Sequence, residues 1–353
     1  MKTQPVFLIG HGGVGRALAR QIVAARARHA QRCGLRLEIV GIADSRGARI
    51  APAGFSDDAL RGLDARKTAS GAFDRYDAPA PPDLDPFVAN DVILVDSSAG
   101  DAAVPVLRRA AQSPRGGAVL ANKLPLAGPL AWWDDITAGR ARWETTCGAA
   151  LPVISTLNTL LNSNDDVLRI EGSLSGTLAF LSAQLEAGRP FGAAVREARE
   201  RGYTEPDPRQ DLGGRDAARK ALILARMLGY RLEMEDVAIE PLYPASMEGL
   251  SVDEFLREAD ALDAPMAARA AALTRGGRKL RYAARIENGA CQVGLAGADP
   301  DSKLGLIRAG DSVVVFTTKQ FNANPVSISG PGAGQEVTAS GVLGDIVSLS
   351  LGE

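Results

Sequence analysis

The residues best suited to chemistry lie in one segment, from Gly202 to Lys220, which is dense in carboxylates. Asp216 and Lys220 are four positions apart, so they share one face if the segment ends in a helix. A lysine ammonium can donate a proton to a reacting group and can stabilise negative charge that develops on an oxygen. The only two histidines are His11 and His29, so a lysine, carboxylate or tyrosine is the expected acid. The spacing alone favours a simpler reading, a solvated ion pair worth about 0.3–0.5 kcal/mol.

A glycine-rich loop near the N-terminus predicts a second chemical site. It has the G-x-G-x-x-G spacing, follows an apolar run at residues 6–9 and precedes a long helical pattern. In dinucleotide-binding domains the first glycine makes a tight turn, the second admits the pyrophosphate, and the third lets helix and strand pack closely. The helix N-terminus favours the negative charge. The predicted cofactor-binding residues of this loop are Gly10, Gly12, Gly13, Val14 and Gly15.

Two residues after the second predicted strand point to different cofactors. Asp44 ends that strand and could accept hydrogen bonds from the adenosine ribose of NAD, or it could simply cap a turn. Arg46 follows two positions later and could hold the 2′-phosphate of NADP. The sequence therefore leaves the choice between NAD and NADP open.

The pattern of elements predicts an α/β fold. Apolar runs at residues 37–43, 92–95 and 118–121 alternate with helical stretches, which is typical of a parallel sheet covered on both faces. Residues 46–84 are predicted to be irregular with short helices, and residues 152–280 mostly helical. Antiparallel strands are expected over residues 280–329, around a tight turn at Asn288 and Gly289. A last helix is expected at residues 338–351.

The composition excludes several classes of protein. With 353 residues, 46% hydrophobic and 23% charged, the chain is expected to form two or three globular units. A net charge of −2 and the lack of a basic stretch argue against a nucleic-acid partner. No apolar run is long enough for a membrane span, and no signal peptide is recognisable. Three scattered cysteines fit neither a disulfide framework nor a metal site, so a cytoplasmic location is expected.

Five motifs, in order along almost the whole chain, resemble those of homoserine dehydrogenases. The strongest is Gly-Tyr-Thr-Glu-Pro-Asp-Pro followed by Asp-Leu and Asp-x-Ala-Arg-Lys, within residues 202–220. The other four are Asn-Lys at residues 122–123, the stretch at residues 144–152, Gly-x-x-Ser-Gly-Thr at residues 172–177, and the glycine-rich stretch at residues 330–346. The resemblance implies NAD(P)H-dependent, reversible reduction of L-aspartate 4-semialdehyde to L-homoserine, in threonine and methionine biosynthesis.

The resemblance also implies roles for individual residues. Lys220 would donate the proton to the aldehyde oxygen, Asp216 and Glu205 would orient lysine and substrate, and Lys123 would lie between cofactor and substrate. The implied substrate-binding residues are Thr177, Gly202, Tyr203, Glu205, Asp211 and Lys220. Further implied cofactor contacts are Ser97, Ser98, Lys123, Gly332 and Gly334. A monovalent cation, typically sodium, would be bound by Glu144 and by the backbone carbonyls of Cys147, Ala149 and Leu151.

The domain organisation that we expect follows the same resemblance. A Rossmann-type NAD(P)-binding domain would comprise residues 1–141 plus 332–353, and an α/β catalytic domain residues 152–280. The catalytic domain would have a mixed or antiparallel sheet together with a dimerisation region. Residues 142–151 and 281–331 would form this dimerisation region, in a homodimer. The chain ends soon after the last motif, so we expect a short form without a C-terminal regulatory domain or a fused aspartate kinase.

Some residues depart from the pattern of the family. Gln210 stands where many relatives carry Asp, Cys147 replaces a common valine, and Ala150 replaces a common glycine. One alternative is therefore a related dehydrogenase of another small amino-aldehyde. Another is a catalytically silent, cofactor-binding regulator, although such a protein would not need the full set of proton-handling residues.

Overall fold

A computed structural model of the protein describes residues 1–308 and 310–352, which divide into two compact units. The first unit comprises residues 1–150 together with the chain from Ala333 onwards. The second unit comprises Leu151–Gly332. The glycine loop at residues 10–15 lies in the first unit, and the carboxylate-rich segment at residues 202–220 lies in the second.

The first 150 residues contain seven strands and six helices. Strands β1 to β7 are Lys2–Ile9, Leu35–Asp44, Gly47–Ile50, Ala78–Pro79, Ile93–Asp96, Gly117–Leu120 and Ala141–Arg142. Helices α1 to α6 are Gly13–Cys33, Asp57–Ser70, Asp85–Ala89, Val104–Ala111, Leu124–Ala127 and Leu130–Thr137.

These strands form one sheet in the order β4-β3-β2-β1-β5-β6-β7. The pairs β1–β2, β1–β5, β5–β6 and β6–β7 are parallel, as the apolar runs predict. The chain order reverses at β1, so the carboxyl ends of β1, β2 and β5 flank a topological switch point. In open α/β sheets this is the place where dinucleotides bind. The α/β, Rossmann-type fold class is confirmed.

The core of this unit follows from the strand and helix patterns. Val6, Leu8 and Ile39 are fully buried in the sheet, and the apolar face of α1 covers them with Leu18 and Ile22. Helix α1 ends at Cys33, and the next residue, Gly34, takes the left-handed conformation with φ +62° that is common after a helix C-terminus.

The prediction of irregular structure over residues 46–84 is wrong in two respects. Strand β3 pairs antiparallel with β2 at the sheet edge, and the 14-residue helix α2 follows it. Both are hard to recognise, since β3 is short and α2 has few buried residues, only Leu60 and Leu63. Ser56 caps α2 by accepting a hydrogen bond from Ala59 N, a local signal of the helix start.

The rest of the chain contains six strands and eight helices in the described residues. Strands β8 to β13 are Val167–Ser173, Ala238–Ile239, Lys279–Glu287, Ala290–Ala298, Ser312–Thr318 and Val326–Gly330. Helices α7 to α14 are Val153–Asn162, Gly176–Glu186, Phe191–Glu200, Arg209–Leu212, Arg215–Met227, Val252–Glu258, Asp263–Leu273 and Gln335–Leu351. Short 3-10 helices occur at Met234–Asp236, Ala245–Met247, Ala259–Leu262 and Arg275–Gly277 in this part, and at Glu144–Thr146 in the first 150 residues. Helix α14, the predicted last helix, belongs to the first unit and packs against α1.

The second sheet has the order β13-β12-β8-β10-β11-β9. It is antiparallel except at the short β9–β11 pair. The predicted turn is confirmed, with Asn288 at φ +51° and Gly289 at φ +79°. The region predicted as mostly helical also contributes β8, the strand between β12 and β10, which the sequence reading missed because its charged Arg169 and Glu171 interrupt the apolar pattern.

One face of this sheet is covered by helices and the other lines a groove of about 970 Å³. Residues of β8, β10, β11 and β12 line the groove, among them Arg169, Glu171, Arg285, Val315 and Thr317. Among the described residues no helix is both long and apolar enough to span a bilayer.

Candidate functional site

The glycine loop has the geometry that its motif requires. A Cβ atom at Gly10, where φ is +92°, would lie 2.6 Å from Ser98 N, and one at Gly15 would lie 2.0 Å from the Gly10 carbonyl oxygen. At Gly12, by contrast, a Cβ would meet nothing within 4 Å. The first and third glycines are therefore required by packing, while the second leaves open space beside the N-terminus of α1. This is an arrangement that could admit a pyrophosphate.

Asp44, at the carboxyl end of β2, is held by several partners in the first unit. Lys67 of α2 forms an ion pair with its carboxylate, and Tyr76 Oη donates a hydrogen bond at 3.1 Å. The Arg46 N–H donates another at 2.8 Å, while the Arg46 side chain is exposed. Burial alone would raise the pKa of Asp44, but the hydrogen bonds from Lys67 and Arg46 lower it below its usual value. No motif singled out Lys67 in the sequence.

The ends of β5 and β6 position three of the implied cofactor contacts, Ser97, Ser98 and Lys123. Ser97 Oγ donates to the Gly10 carbonyl at 2.7 Å. The fully buried Asp96 accepts hydrogen bonds from Ser98 N at 2.9 Å and from Asn122 Nδ2 at 3.1 Å. Lys123 follows Asn122 at the start of α5. Asp96, to which the sequence reading assigned no role, thus holds together the loops that carry Ser98 and Lys123.

The segment predicted to bind a cation contains unusual backbone. Gly148 has φ +100° and Ala149 φ +54°, a conformation that reorients successive carbonyl groups. Glu144 N donates to the buried Asp345 of α14 at 2.9 Å, and burial raises the pKa of Asp345 to about 7. The described residues contain no cluster of three or more His, Cys, Asp or Glu side chains suited to a metal. Backbone carbonyls and a carboxylate are oxygen ligands, which suit hard cations rather than soft ones.

The remaining residues with an implied role in cation or cofactor binding, Leu151, Gly332 and Gly334, belong to different units. Leu151 is the first residue of the second unit, and its carbonyl accepts a hydrogen bond from Val153 N at 2.7 Å. Gly332 ends the second unit, where a Cβ would lie 2.0 Å from Ser312 Oγ. Gly334, with φ +121°, directly precedes α14 in the first unit.

Lys220 lies on α11 of the second unit and is not a simple surface lysine. Its side chain is 12% exposed, whereas that of Asp216 is 47% exposed, and their charged atoms are 2.9 Å apart. The ammonium also donates to the Leu174 carbonyl at 2.6 Å. This carbonyl lies in the loop before Thr177, so Lys220 is oriented towards the predicted substrate loop. The fully solvated pair that spacing alone favours is not what the structure contains.

Asp211 lies at the centre of the predicted substrate-binding residues. Glu205 N donates to one oxygen of its carboxylate at 2.8 Å, and Thr177 Oγ1 lies 3.3 Å from the other. Burial, followed by the nearby charges of Glu205 and Asp216, raises the pKa of Asp211. Carboxylates gathered in this way attract a cation, such as the ammonium group of an amino acid.

The remaining predicted substrate residues lie at the surface. Gly202 adopts φ +68°, and Tyr203, which is exposed, packs edge-on against Phe180 with ring centroids 5.2 Å apart. Gln210, the departure from the family pattern, is exposed on α10.

A residue that the sequence analysis did not select holds this loop in place. Arg209 donates hydrogen bonds to the carbonyls of Met247, Glu248 and Leu250 at 2.6–3.1 Å. The guanidinium also pairs with Asp207 and thereby lowers the pKa of that carboxyl. Arg209 therefore fixes the loop between Glu205 and Asp211 to the segment that precedes α12.

Comparison with known proteins identifies what the chain resembles. The sequence model of the family described as homoserine dehydrogenase matches residues 152–347. Homoserine dehydrogenase of Emericella nidulans is 33% identical over 374 residues, which cover 98% of each chain. Bifunctional aspartokinase/homoserine dehydrogenase 2 of Zea mays is 34% identical over 360 residues, which cover 99% of this chain. Those residues span only 38% of the bifunctional relative.

A solved structure has the same fold. A mutant of a hyperthermophilic archaeal homoserine dehydrogenase in complex with NADPH superimposes with a TM-score of 0.75 at 25% identity. The superposition covers 100% of this chain and 99% of that chain.

Proposed function

Because the chain belongs to the homoserine dehydrogenase family, a family of NAD(P)-dependent oxidoreductases, we propose that it reversibly reduces L-aspartate 4-semialdehyde to L-homoserine with NAD(P)H. The observation that carries the proposal is the arrangement around Lys220. A largely buried ammonium, bonded to Asp216 and Leu174, adjoins a group of carboxylates that includes Asp211. The relatives do not favour the alternatives of another amino-aldehyde substrate or of a silent regulator.

In the proposed mechanism the nicotinamide cofactor, when bound, supplies a hydride to the aldehyde carbon. The electron pair of the C=O bond moves to the oxygen, and Lys220 Nζ gives this oxygen a proton to form the alcohol. The same ammonium stabilises the developing negative charge before the proton moves. In the direction of homoserine oxidation, neutral Lys220 takes the proton back. Lys123, on the first unit, is proposed to share this acid–base work.

Substrate binding is proposed to use the residues around Asp211. The carboxylates of Asp211 and Glu205 would bind the substrate's ammonium group, and the hydroxyl of Thr177 would orient the substrate. Gly202 and Tyr203 would contribute through the backbone of the same loop. The hydrogen bonds from Glu205 N and Thr177 to Asp211 support this arrangement, because they fix the carboxylate before substrate arrives.

We propose NADP rather than NAD as the preferred cofactor. A ribose 2′-hydroxyl needs a carboxylate with free acceptor sites, yet the Asp44 carboxylate already accepts from Lys67, Tyr76 and Arg46 N. The positive charges of Lys67 and Arg46 outnumber the single charge of Asp44 at this place and favour a 2′-phosphate. The NADPH complex of the archaeal relative agrees with this choice.

The substitution Lys67→Met tests this cofactor preference. Loss of a charge-assisted hydrogen bond costs about 1.5–3 kcal/mol, so kcat/KM with NADPH is expected to fall about 10- to 100-fold. With NADH it should change little or rise, because Asp44 gains a free acceptor site. Arg61→Gln, a change of an exposed charge on the same helix, is the matched control. An unaltered ratio of NADPH to NADH activity in Lys67→Met would contradict the proposal.

The activity itself is tested by adding aspartate semialdehyde to the purified protein with NADPH or NADH. We expect NADPH oxidation that depends on the aldehyde and produces homoserine in equal amount, with lower rates for other small amino-aldehydes. The assay is run with sodium, with potassium and with a bulky organic cation, since the proposed site at Glu144, Cys147, Ala149 and Leu151 should bind a small monovalent ion. Folded protein that turns over neither cofactor in any of these salts would exclude the proposed function.

A homodimer in the cytoplasm is proposed for the assembled protein. The groove face of the second sheet carries the pairs Arg285–Glu287 and Arg169–Glu171, so a second copy could meet it with complementary charges. Residues 142–151 are proposed to contribute as well. None of the three cysteines takes part in a disulfide among the described residues, which suits a reducing compartment.

A further inference from the structure

His11 lies inside the glycine loop and is almost wholly buried, with 2% of its surface exposed. The loop is tied to the end of β2, because Gly10 N donates to the Ala43 carbonyl at 3.0 Å. The His11 side chain therefore begins beside Asp44, at the place where a Rossmann-type sheet receives the adenosine half of its cofactor.

Neither ring nitrogen of His11 has a hydrogen-bond partner among the described residues. Buried polar groups without partners are rare and destabilising, so each one calls for an explanation such as a ligand or an ordered water. Burial lowers the pKa of His11 to about 4, and the imidazole is therefore neutral at physiological pH. A neutral imidazole offers one donor and one acceptor, which match a sugar hydroxyl, and its N–H can also donate to a phosphate.

Phe73 packs against the imidazole and Tyr76 packs against Phe73, and we refer to these two residues as the aromatic cover. The rings of His11 and Phe73 have centroids 5.4 Å apart. Phe73 N donates to Tyr76 Oη, which in turn donates to Asp44. The cover is thus tied to the carboxylate that ends β2. A ligand that takes the place of Tyr76 at Asp44 would release the cover and expose the nitrogens of His11.

We infer that His11 is a cofactor-binding residue, whose imidazole hydrogen-bonds the adenosine ribose of the dinucleotide, at a hydroxyl or at the 2′-phosphate. The inference rests on the proposed function in taking the ligand to be NAD(P). His11 occupies a position at which the glycine motif allows any residue, so the motif alone does not assign it a role. If His11 binds the cofactor, the aromatic cover must move when the cofactor binds. This role also accounts for the orphaned nitrogens, which acquire partners only in the complex.

The test uses the fact that the chain has only two histidines. In a His29→Leu background, protein labelled with ¹⁵N at histidine gives imidazole signals from His11 alone. We expect ADP-ribose and its 2′-phosphorylated form to shift these signals, and nicotinamide mononucleotide to leave them in place. A larger shift with the 2′-phosphorylated ligand assigns the bond to the phosphate, and equal shifts assign it to a hydroxyl.

Two substitutions separate binding from a merely structural role. His11→Leu should weaken ADP-ribose binding about three- to tenfold, the loss of one hydrogen bond, and should raise the Tm of the free protein because the orphaned nitrogens are gone. His11→Gln, which retains a donor and an acceptor, should restore most of the affinity. His29→Leu alone is the control and should change neither quantity.

Three outcomes would overturn the inference. The first is ADP-ribose binding that leaves the His11 signals unshifted, which would still be compatible with the proposed function. The second is a lower Tm with unchanged affinity in His11→Leu, which would make His11 a residue of the core. The third is a wild-type protein that binds neither NADPH nor ADP-ribose, as measured by NADPH fluorescence and by calorimetry. Only the third would also overturn the proposed function.

Discussion

Replacing Lys220 by alanine is expected to lower kcat by about 10²- to 10⁴-fold, the usual loss when a general acid is removed. The reason is geometric, since the ammonium is largely buried and bonded to Asp216 and to the Leu174 carbonyl beside the substrate loop. NADPH should bind to the variant with nearly unchanged Kd, because the glycine loop belongs to the other unit. Steady-state kinetics and NADPH fluorescence measure the two quantities separately.

The matched control for this substitution is Lys319→Ala. Lys319 also lies in the second unit and pairs with an acidic residue, Asp166, but both side chains are well exposed. We expect its kcat to remain within about twofold of wild type, since exposed pairs contribute little. A near-normal kcat in Lys220→Ala would exclude Lys220 as the proton donor and leave Lys123 as the candidate.

The second large effect concerns the stability of the protein in acid. The pKa of His11 is about 4 in the folded chain, against an ordinary value of 6.5, chiefly because burial disfavours the imidazolium. The charges of Asp64, Arg16, Lys67 and Asp44 around it modify this shift. The unfolded chain therefore takes up the proton first, and stability is lost as the pH falls from 6.5 to 4. The loss should reach about 3 kcal/mol below pH 4.

Urea unfolding of wild type and of His11→Leu at pH 7.5 and at pH 4.5 isolates this effect. Carboxylates and His29 titrate in both proteins, so the difference between the two pH responses reports His11 alone. We expect wild type to lose about 2.5 kcal/mol more than the variant between these pH values. Equal losses in the two proteins would show that His11 has an ordinary pKa in the folded chain and is not buried as described.

Much of the fold follows from local patterns. The parallel strands of the first sheet are continuous apolar runs because both of their faces are covered, and such runs can be recognised in the sequence. The turn at Asn288 and Gly289 can also be recognised in the sequence, because Asn-Gly is one of the few residue pairs that accept positive φ at both positions. The sequence does not predict strand β8, because its alternating charged and apolar residues form no continuous apolar run. The alternation can be assigned to the two faces of a strand only when the pairing of β8 with β10 and β12 is known.

By itself the sequence determined the glycine loop, the order of the motifs, the family and the set of candidate residues that includes Lys220 and Asp211. These depend on residue type and spacing, which short stretches of chain already contain. Only the tertiary structure decided that Lys67 pairs with the carboxylate of Asp44 and that Asp96 joins two loops. It also decided that the buried ring nitrogens of His11 have no hydrogen-bond partner in the described part of the chain. The reason is that burial and hydrogen bonding depend on residues that are distant in the chain. They decide which groups of a site are charged and which donors and acceptors remain available to a ligand.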